Sequence, residues 1–222
     1  MGLPASKFLF YMSHYLRHHP FRFLIRGRMS SFFSPTEAGE EELCRRAWPG
    51  PIWDVGASLG KYTPMMAEAN PKQPIFAFEP NLNSLYYLGY RTAKYPNITI
   101  VPAPLTVDVT SMRVTYDPNF HVAATGPQGI AFTVAEAIRW FGVPAFIKLD
   151  CEGLEYEMLE KCADLLQHST VLVEWHLEYP EGVPNPGATK YKPNFSYWKV
   201  SQPTPNHTLL EPLKPAYPAV KS

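Results

Sequence analysis

Short apolar runs alternate with longer amphipathic stretches through the middle of the chain. Runs of four to six mostly apolar residues are typical of strands buried on both faces of a sheet. We predict five such strands, at 52–55, 75–78, 98–101, 146–149 and 170–175. Helices are predicted between them, at 59–69, 82–94, 133–141 and 154–166. Strands separated by helices pair in parallel with right-handed crossovers. The pattern therefore predicts an α/β fold with a doubly wound, mostly parallel sheet.

The segments on either side of this core differ from it. Residues 1–33 mix aromatic with basic residues, and a helix start at 34–37 predicts a helix that runs to about Ala47. We therefore expect residues 1–48 to form an N-terminal helical extension. This extension suits either a cap on the domain or contact with a membrane surface. Residues 49–178 form the expected core. Residues 179–222 are rich in proline and are expected to complete or cover the sheet, with 196–200 and 208–213 as an antiparallel pair.

Composition narrows the class of protein. The 222 residues carry a formal net charge of zero, and no basic run interleaved with aromatic residues points to nucleic acid. The three cysteines are odd in number and lack metal-finger spacing, which favours reduced thiols in the cytoplasm. No apolar stretch reaches the roughly 18 residues of a membrane span. A small molecule is the expected partner, and the pattern leaves the oligomeric state open.

The turn after the first strand is the main candidate for a binding site. Asp54 ends an apolar run, and Gly56 and Gly60 follow with Gly-x-x-x-Gly spacing. Glu79 ends the second strand, about 20 residues on, where nucleotide-binding sheets place an acid for two ribose hydroxyls. Lys61 is the single basic residue next to this turn that could bind a phosphate. A cofactor with a ribose but no phosphate fits better, and S-adenosylmethionine is such a cofactor.

Other polar residues follow the later strands. Asp150 and Glu152 follow the fourth strand, and Glu174 and His176 end the fifth. Because ligands bind beyond the carboxyl ends of parallel strands, we expect these side chains to share one site with Asp54 and Glu79.

Several motifs resemble the FkbM family of S-adenosylmethionine-dependent methyltransferases. They are Asp54 to Gly60, Phe78 to Asn81 with Asn83, Thr133 to Ala137, Ile147 to Glu155, and Val173 to His176. The resemblance covers roughly residues 50–178. It implies a Rossmann-like class I methyltransferase fold and methyl transfer to oxygen, commonly on hydroxyls of sugars, glycolipids or polyketides.

The resemblance also implies site residues. Carried over, the cofactor contacts are Gly56, Ala57, Gly60 and Glu79, and the acidic pair of the active site is Asp150 and Glu152. Their positions in the turn or beyond strand ends add five further cofactor candidates, namely Asp54, Ser58, Pro80, Asn83 and Ala103. Asp54 would organise the loop or meet the ammonium group of the cofactor through water.

Methyl transfer to a hydroxyl needs a base or a metal, because an alcohol has a high pKa. His176 is the first candidate base, and His121, in a glycine-containing insertion, is its rival. Carboxylates suit Mg²⁺, and we choose Asp150 and Glu174 as its first ligands and Glu152 as the third. Lys148 would orient a substrate oxygen or form a structural ion pair.

We therefore expect an O-methyltransferase that acts on a carbohydrate or a similar polyhydroxylated small molecule. Four aromatic residues near the site would stack on a sugar face or pack in the core: Trp175, Tyr179, Tyr197 and Trp198. Two alternatives stay open. One is a methyltransferase for a polyketide hydroxyl or an amide nitrogen, and the other is a non-catalytic nucleotide-binding module.

Overall fold

The computed structural model describes residues 38–108, 111–113, 128–179, 183–204 and 206–218. The chain divides into two compact units, residues 1–38 and residues 39–222. The helix start expected at 34–37 and the candidate base His121 lie outside the described residues. None of the helices in the described ranges is long and apolar enough to cross a membrane.

The described residues form seven helices and thirteen strands, which turns and loops connect. The helices are α1 (Ala38–Cys44), α2 (Thr63–Ala69), α3 (Leu82–Thr92), α4 (Val134–Phe141), α5 (Glu155–Lys161), α6 (Ala163–Leu166) and α7 (Pro186–Lys190). The first seven strands are β1 (Ile52–Val55), β2 (Ile75–Phe78), β3 (Ile98–Val101), β4 (Leu105–Thr106), β5 (Ser111–Arg113), β6 (Gln128–Ile130) and β7 (Phe132–Thr133). The others are β8 (Phe146–Leu149), β9 (Thr170–Glu174), β10 (Glu178–Tyr179), β11 (Val183–Pro184), β12 (Trp198–Thr204) and β13 (His207–Pro212).

One seven-stranded sheet organises the molecule, in the order β12-β13-β9-β8-β1-β2-β3. Strands β9, β8, β1, β2 and β3 pair in parallel, and β13 runs antiparallel to both of its neighbours. The doubly wound sheet and its terminal antiparallel pair are confirmed. The chain leaves β1 toward β2 and β3, and later returns to its other side as β8. This switch point between β1 and β8 is where such sheets bind ligands.

Apolar side chains cover both faces of the sheet, as the mostly apolar runs predicted. Neighbouring residues on β1 point to opposite faces, so Ile52 and Trp53 belong to different clusters of the core. Trp53 packs edge-on against Phe78, while Trp48 stacks on Phe146. Five aligned strands are therefore fixed from both sides, and their carboxyl ends form a rigid platform for a site.

Some helix boundaries differ from the prediction. Helix α2 begins at Thr63 rather than at residue 59, because Ser58 (φ 49°) and Gly60 (φ 74°) are left-handed and cannot continue a right-handed helix. The helix expected over 154–166 is two helices, with Cys162 at φ −117° between them. Helix α1 ends at Cys44 rather than near residue 47. The capping box at Thr133 and the cap at Asn81 are confirmed.

Candidate active site

The glycine turn after β1 brings the backbone of two strand ends together. Gly56 has φ 80°, and its N–H, like that of Ala57, donates to the carbonyl of Phe78 at 3.0–3.1 Å. A Cβ atom at position 56 would lie 1.7 Å from the carbonyl oxygen of Asp150. Only glycine allows the backbone at position 56 to lie this close to Asp150. The turn and the end of β8 therefore form one continuous surface at the switch point.

Glu79 follows the last residue of β2, beside the glycine turn, and is buried. Its Oε2 accepts the N–H of Ser58 at 2.7 Å, and its Oε1 accepts the N–H of Asn81 at 2.7 Å. Burial raises the pKa of Glu79 to about 7, although these two hydrogen bonds act against it. A carboxylate has about four acceptor sites, so each oxygen keeps capacity for a further donor.

A cleft opens between the β1 turn, the end of β2 and the end of β8. Six of the predicted site residues line it, namely Gly56, Ser58, Glu79, Pro80, Asp150 and Glu152. Most of the other lining residues are apolar, and they are Val55, Phe78, Pro104, Leu105, Cys151 and Leu154. The cleft thus combines an apolar surface with the carboxylates of Glu79, Asp150 and Glu152. Ligand sites of this kind are mostly apolar and carry a few polar groups.

Other predicted cofactor residues shape the turn from behind. Asp54 is 1% exposed, and its Oδ2 accepts the hydroxyl of Thr63 at 2.6 Å. Gly60 packs against Leu88, and the N–H of Asn83 donates to the side chain that caps α3. The side chains of Ala57 and Ala103 are buried. Asp54 therefore joins the end of β1 to the start of α2, and its role toward a cofactor stays a prediction.

His176 and three carboxylates form a cluster at the ends of β8 and β9. Its Nδ1 lies 3.1 Å from Oε1 of Glu155, a fully buried residue of α5. Its Nε2 lies 3.6 Å from Oδ1 of Asp150 and 3.6 Å from Oε2 of Glu152. Burial alone would lower the pKa of His176, but Glu155, Asp150 and Glu152 outweigh it and raise the pKa to about 9. Glu155 thus fixes the Nδ1 side of the imidazole, and the Nε2 side faces Asp150 and Glu152, which line the cleft.

Lys148 forms the structural ion pairs that were one of its two expected roles. Its side chain is 2% exposed, and Nζ lies 2.7 Å from Oδ2 of Asp150 and 3.3 Å from Oε1 of Glu40. Glu174 is more distant, with its Oε2 3.9 Å from Nζ. Burial raises the pKa of Asp150 to about 6, and the nearby ammonium group opposes this rise. Lys148 therefore fixes one oxygen of Asp150 and leaves the other toward His176.

The structure divides the three expected magnesium ligands between two groups. Asp150 and Glu152 face His176, whereas Glu174 faces Glu40 and His207. Strand pairing explains the division, because Glu174 lies on the same face of the sheet as Lys148 and pairs with His207 on β13. Asp150 and Glu152 do not continue strand β8 together, since Glu152 lies in a turn with φ 55°.

Two of the four aromatic residues expected near the site have clear positions, and stacking on a sugar stays a prediction. Trp175 lines a second, mostly apolar cavity of about 410 Å³ together with Tyr156 and Phe195. Trp198 is buried, and its Nε1 donates to the carbonyl of Ser169 at 2.9 Å, which is a packing role. An apolar chamber therefore lies beside the segment that carries His176.

The sequence pattern did not single out Glu155, Glu40 or His207. Glu155 belongs to the motif that ends at residue 155, so its position was available as a signal. Glu40 and His207 come from α1 and β13, and only packing and strand register bring them to the end of β9.

Comparison with known proteins gives the fold. No protein-family model and no curated protein sequence matches the chain. Among solved structures, the chain is similar to a putative rRNA methylase from Clostridium thermocellum, with a TM-score of 0.53, 7% identity, and coverage of 83% of this chain and 99% of that chain. A methyltransferase from Geobacter sulfurreducens gives a TM-score of 0.49 at 11% identity, over 95% and 97% of the two chains.

Precorrin-6y C5,15-methyltransferase from Geobacter metallireducens gives a TM-score of 0.40 at 17% identity. That alignment covers 63% of this chain and 60% of the precorrin enzyme. Sequence identities this low indicate a shared fold and nothing more specific. The similarity to the clostridial protein agrees with the sheet order and the glycine turn at the switch point. The chain therefore has the Rossmann-like fold of class I S-adenosylmethionine-dependent methyltransferases.

Proposed function

We propose that the protein is an S-adenosylmethionine-dependent O-methyltransferase that acts on a hydroxyl of a carbohydrate or a similar polyhydroxylated small molecule. One observation carries the proposal. The acid suited to a ribose, Glu79, and the acid beside a candidate base, Asp150, line the same cleft. A cofactor and a hydroxyl acceptor would therefore meet between them.

The residues of the cleft fit the cofactor. Glu79 would accept the two ribose hydroxyls with the capacity that its amide hydrogen bonds leave free. Phe78 and Leu105 offer apolar surface for the adenine. Gly56 lets the backbone approach the methionine part. When bound, S-adenosylmethionine supplies an electrophilic methyl group on a positively charged sulfur.

His176 would remove the proton of the acceptor. The neutral form of His176 acts as the base, and because the pKa is about 9 this form increases as the pH rises toward 9. With its hydrogen on Nδ1, the ring is held by the buried carboxylate of Glu155, and the lone pair of Nε2 points toward Asp150 and Glu152. The acceptor oxygen would take the methyl group as its proton passes to Nε2, and the sulfur would keep the electron pair of the carbon–sulfur bond. His121 stays the rival base.

Metal assistance is the second candidate for this step. Ligand atoms of Asp150, Glu152 and His176 lie within 4.8 Å of one another, so a divalent ion such as Mg²⁺ would find oxygen ligands here. Methyl transfer that stops on EDTA treatment and returns with Mg²⁺ would support this variant. Unchanged activity in EDTA would leave His176 or His121 to act without metal.

The experiment is a labelled-methyl assay across three acceptor classes: sugars, polyketide hydroxyls and amides. We expect label on a sugar hydroxyl, and a loss of about 10²–10⁴-fold in kcat for His176→Ala, because general bases contribute that much. His168→Ala is the matched control, since His168 is half-buried, lies outside the cleft and contacts the carbonyl of Lys214. Full activity in His176→Ala would transfer the role to His121, which the corresponding variant tests. Label on amides alone would contradict O-methylation.

A further inference from the structure

A second group of polar side chains lies outside the cofactor cleft. Glu40 of α1, Glu174 of β9 and His207 of β13 direct one ligand atom each toward a common point. Nε2 of His207 lies 3.6 Å from Oε1 of Glu40 and 3.5 Å from Oε2 of Glu174. None of the three belongs to the described residues that line the cleft.

Two of these atoms are buried without a hydrogen bond. Oε1 of Glu40 and Nε2 of His207 make none within the described part of the chain. The two side chains are only 3% and 7% exposed. A separation of 3.6 Å is too long for a good hydrogen bond. Oε1 of Glu40 also lies 3.3 Å from Nζ of Lys148, so Nε2 of His207 is the buried atom that most needs a further partner.

Charge in this region is also unbalanced. The carboxylates of Glu40, Asp150 and Glu174 all lie within 4 Å of the Nζ of Lys148. One ammonium group that is shared among three carboxylates does not neutralise both Glu40 and Glu174. Either a proton on His207, whose pKa these two carboxylates raise to about 9, or a bound cation supplies positive charge between them.

The spacing and surroundings suit a metal ion. Ligand atoms about 2.0–2.2 Å from a tetrahedral Zn²⁺ lie roughly 3.4 Å apart, close to the two separations of His207. Nδ1 of His207 lies 2.6 Å from the hydroxyl oxygen of Thr204, which can accept its hydrogen and leave the lone pair on Nε2. Glu174 is 32% exposed and gives an ion access to the site.

We propose that Glu40, Glu174 and His207 form a binding site for a divalent transition-metal ion, with Zn²⁺ as its probe, that joins α1 to strands β9 and β13. The imidazole ligand favours Zn²⁺ over Mg²⁺ or Ca²⁺, which prefer oxygen ligands alone. Its position outside the cleft gives it a structural role, and it does not depend on the methyl-transfer chemistry.

The experiment is a zinc titration of the full-length chain after EDTA treatment and dialysis. It starts from His176→Gln, which removes the imidazole from the group of Asp150, Glu152 and His176 and leaves the proposed site intact. We expect that protein to bind one Zn²⁺ per chain, and Co²⁺ in its place to give the visible absorption of a tetrahedral site. Adding His207→Gln should abolish both signals, whereas adding His168→Gln should change neither. Thr204→Val should weaken binding by about 10–100-fold, because it removes the partner of Nδ1.

A second variant keeps the test decisive if His207→Gln fails to fold. Glu174→Gln alters a partly exposed ligand and should also weaken zinc binding at least about tenfold. Circular dichroism checks that each variant is folded. Failure of the His176→Gln protein to take up stoichiometric Zn²⁺ would overturn the proposal. Tight binding that persists in folded His207→Gln or Glu174→Gln protein would overturn it equally.

Discussion

Glu155 and His176 contact each other across the carboxyl end of the sheet, with 3.1 Å between Oε1 and Nδ1. Glu155 is fully buried on α5, and the same oxygen accepts the N–H of Cys151 at 2.8 Å. The pair fixes the ring so that its other nitrogen faces Asp150 and Glu152. Glu155 is therefore a positioning residue for the proposed base.

Replacing this buried carboxylate tests that role. Glu155→Gln should lower kcat by about tenfold or more, because a hydrogen bond to a charged group contributes roughly 1.5–3 kcal/mol. KM and the affinity for S-adenosylmethionine should stay unchanged. Glu157→Gln on the same helix is the matched control, since its carboxylate pairs with Lys161 instead. Steady-state kinetics in which the two variants behave alike would contradict the assignment.

The glycine turn gives a prediction about stability. Gly56→Ala should lower the free energy of unfolding by more than about 2 kcal/mol, since a left-handed non-glycine residue alone costs of order 1–3 kcal/mol. The new Cβ would also lie 1.7 Å from the carbonyl oxygen of Asp150. Gly89→Ala is the control. Its Cβ meets only Ile100 at 4.0 Å within a helix, where the change should stabilise by about 0.5–1 kcal/mol. Equal urea midpoints for the two variants would refute this account of the turn.

The sheet was predictable because its signal is local. Runs such as Ile52 to Val55 and Phe146 to Leu149 are apolar except for one charged residue each, which is typical of a buried strand, and each ends in a turn that changes the chain direction. The start of α2 was missed because leucine and lysine around Gly60 suit a helix, while the turn imposes left-handed angles on Ser58 and Gly60.

The site was predictable only in part. Glu79, Asp150 and His176 each follow a strand, so the parallel sheet alone brings them to one edge. The separation of Glu174 from Asp150 depends on which face of β9 its side chain takes. Glu40 reaches this region through the packing of α1, a long-range contact that no local pattern encodes.

Lys148 stabilises the buried carboxylates around it, so replacing it should lower the free energy of unfolding. Lys148→Met leaves Glu40 and Asp150 without their ammonium partner, and breaking a buried ion pair costs about 3–5 kcal/mol. Lys199→Met, on an exposed residue of β12, should stay within about 0.5 kcal/mol of wild type. Chemical denaturation measures both. A cost for Lys148→Met below about 1 kcal/mol would show that the buried acids do not depend on this ammonium.

Burial of Glu79 predicts a dependence of stability on pH. Its folded pKa of about 7 lies above the usual 4.5, so the folded protein binds a proton that the unfolded chain releases. The stabilising contribution of this group is complete below pH 4.5 and is lost as the pH rises through 7. Glu79→Gln lacks this titration. The difference in unfolding free energy, wild type minus Glu79→Gln, should therefore fall between pH 5 and pH 8. A constant difference would place the pKa of Glu79 near its ordinary value.

Calorimetric titration of S-adenosylmethionine into the full-length chain tests the central claim most directly. The account predicts one binding site per chain. It also predicts an affinity at least about tenfold lower in Glu79→Ala, because the ribose hydroxyls lose a charged acceptor. Glu42→Ala, at an exposed position on α1, should bind like wild type. A folded wild-type protein that releases no heat with S-adenosylmethionine, or a Glu79→Ala variant that binds it as tightly as wild type, would contradict the proposed cofactor site.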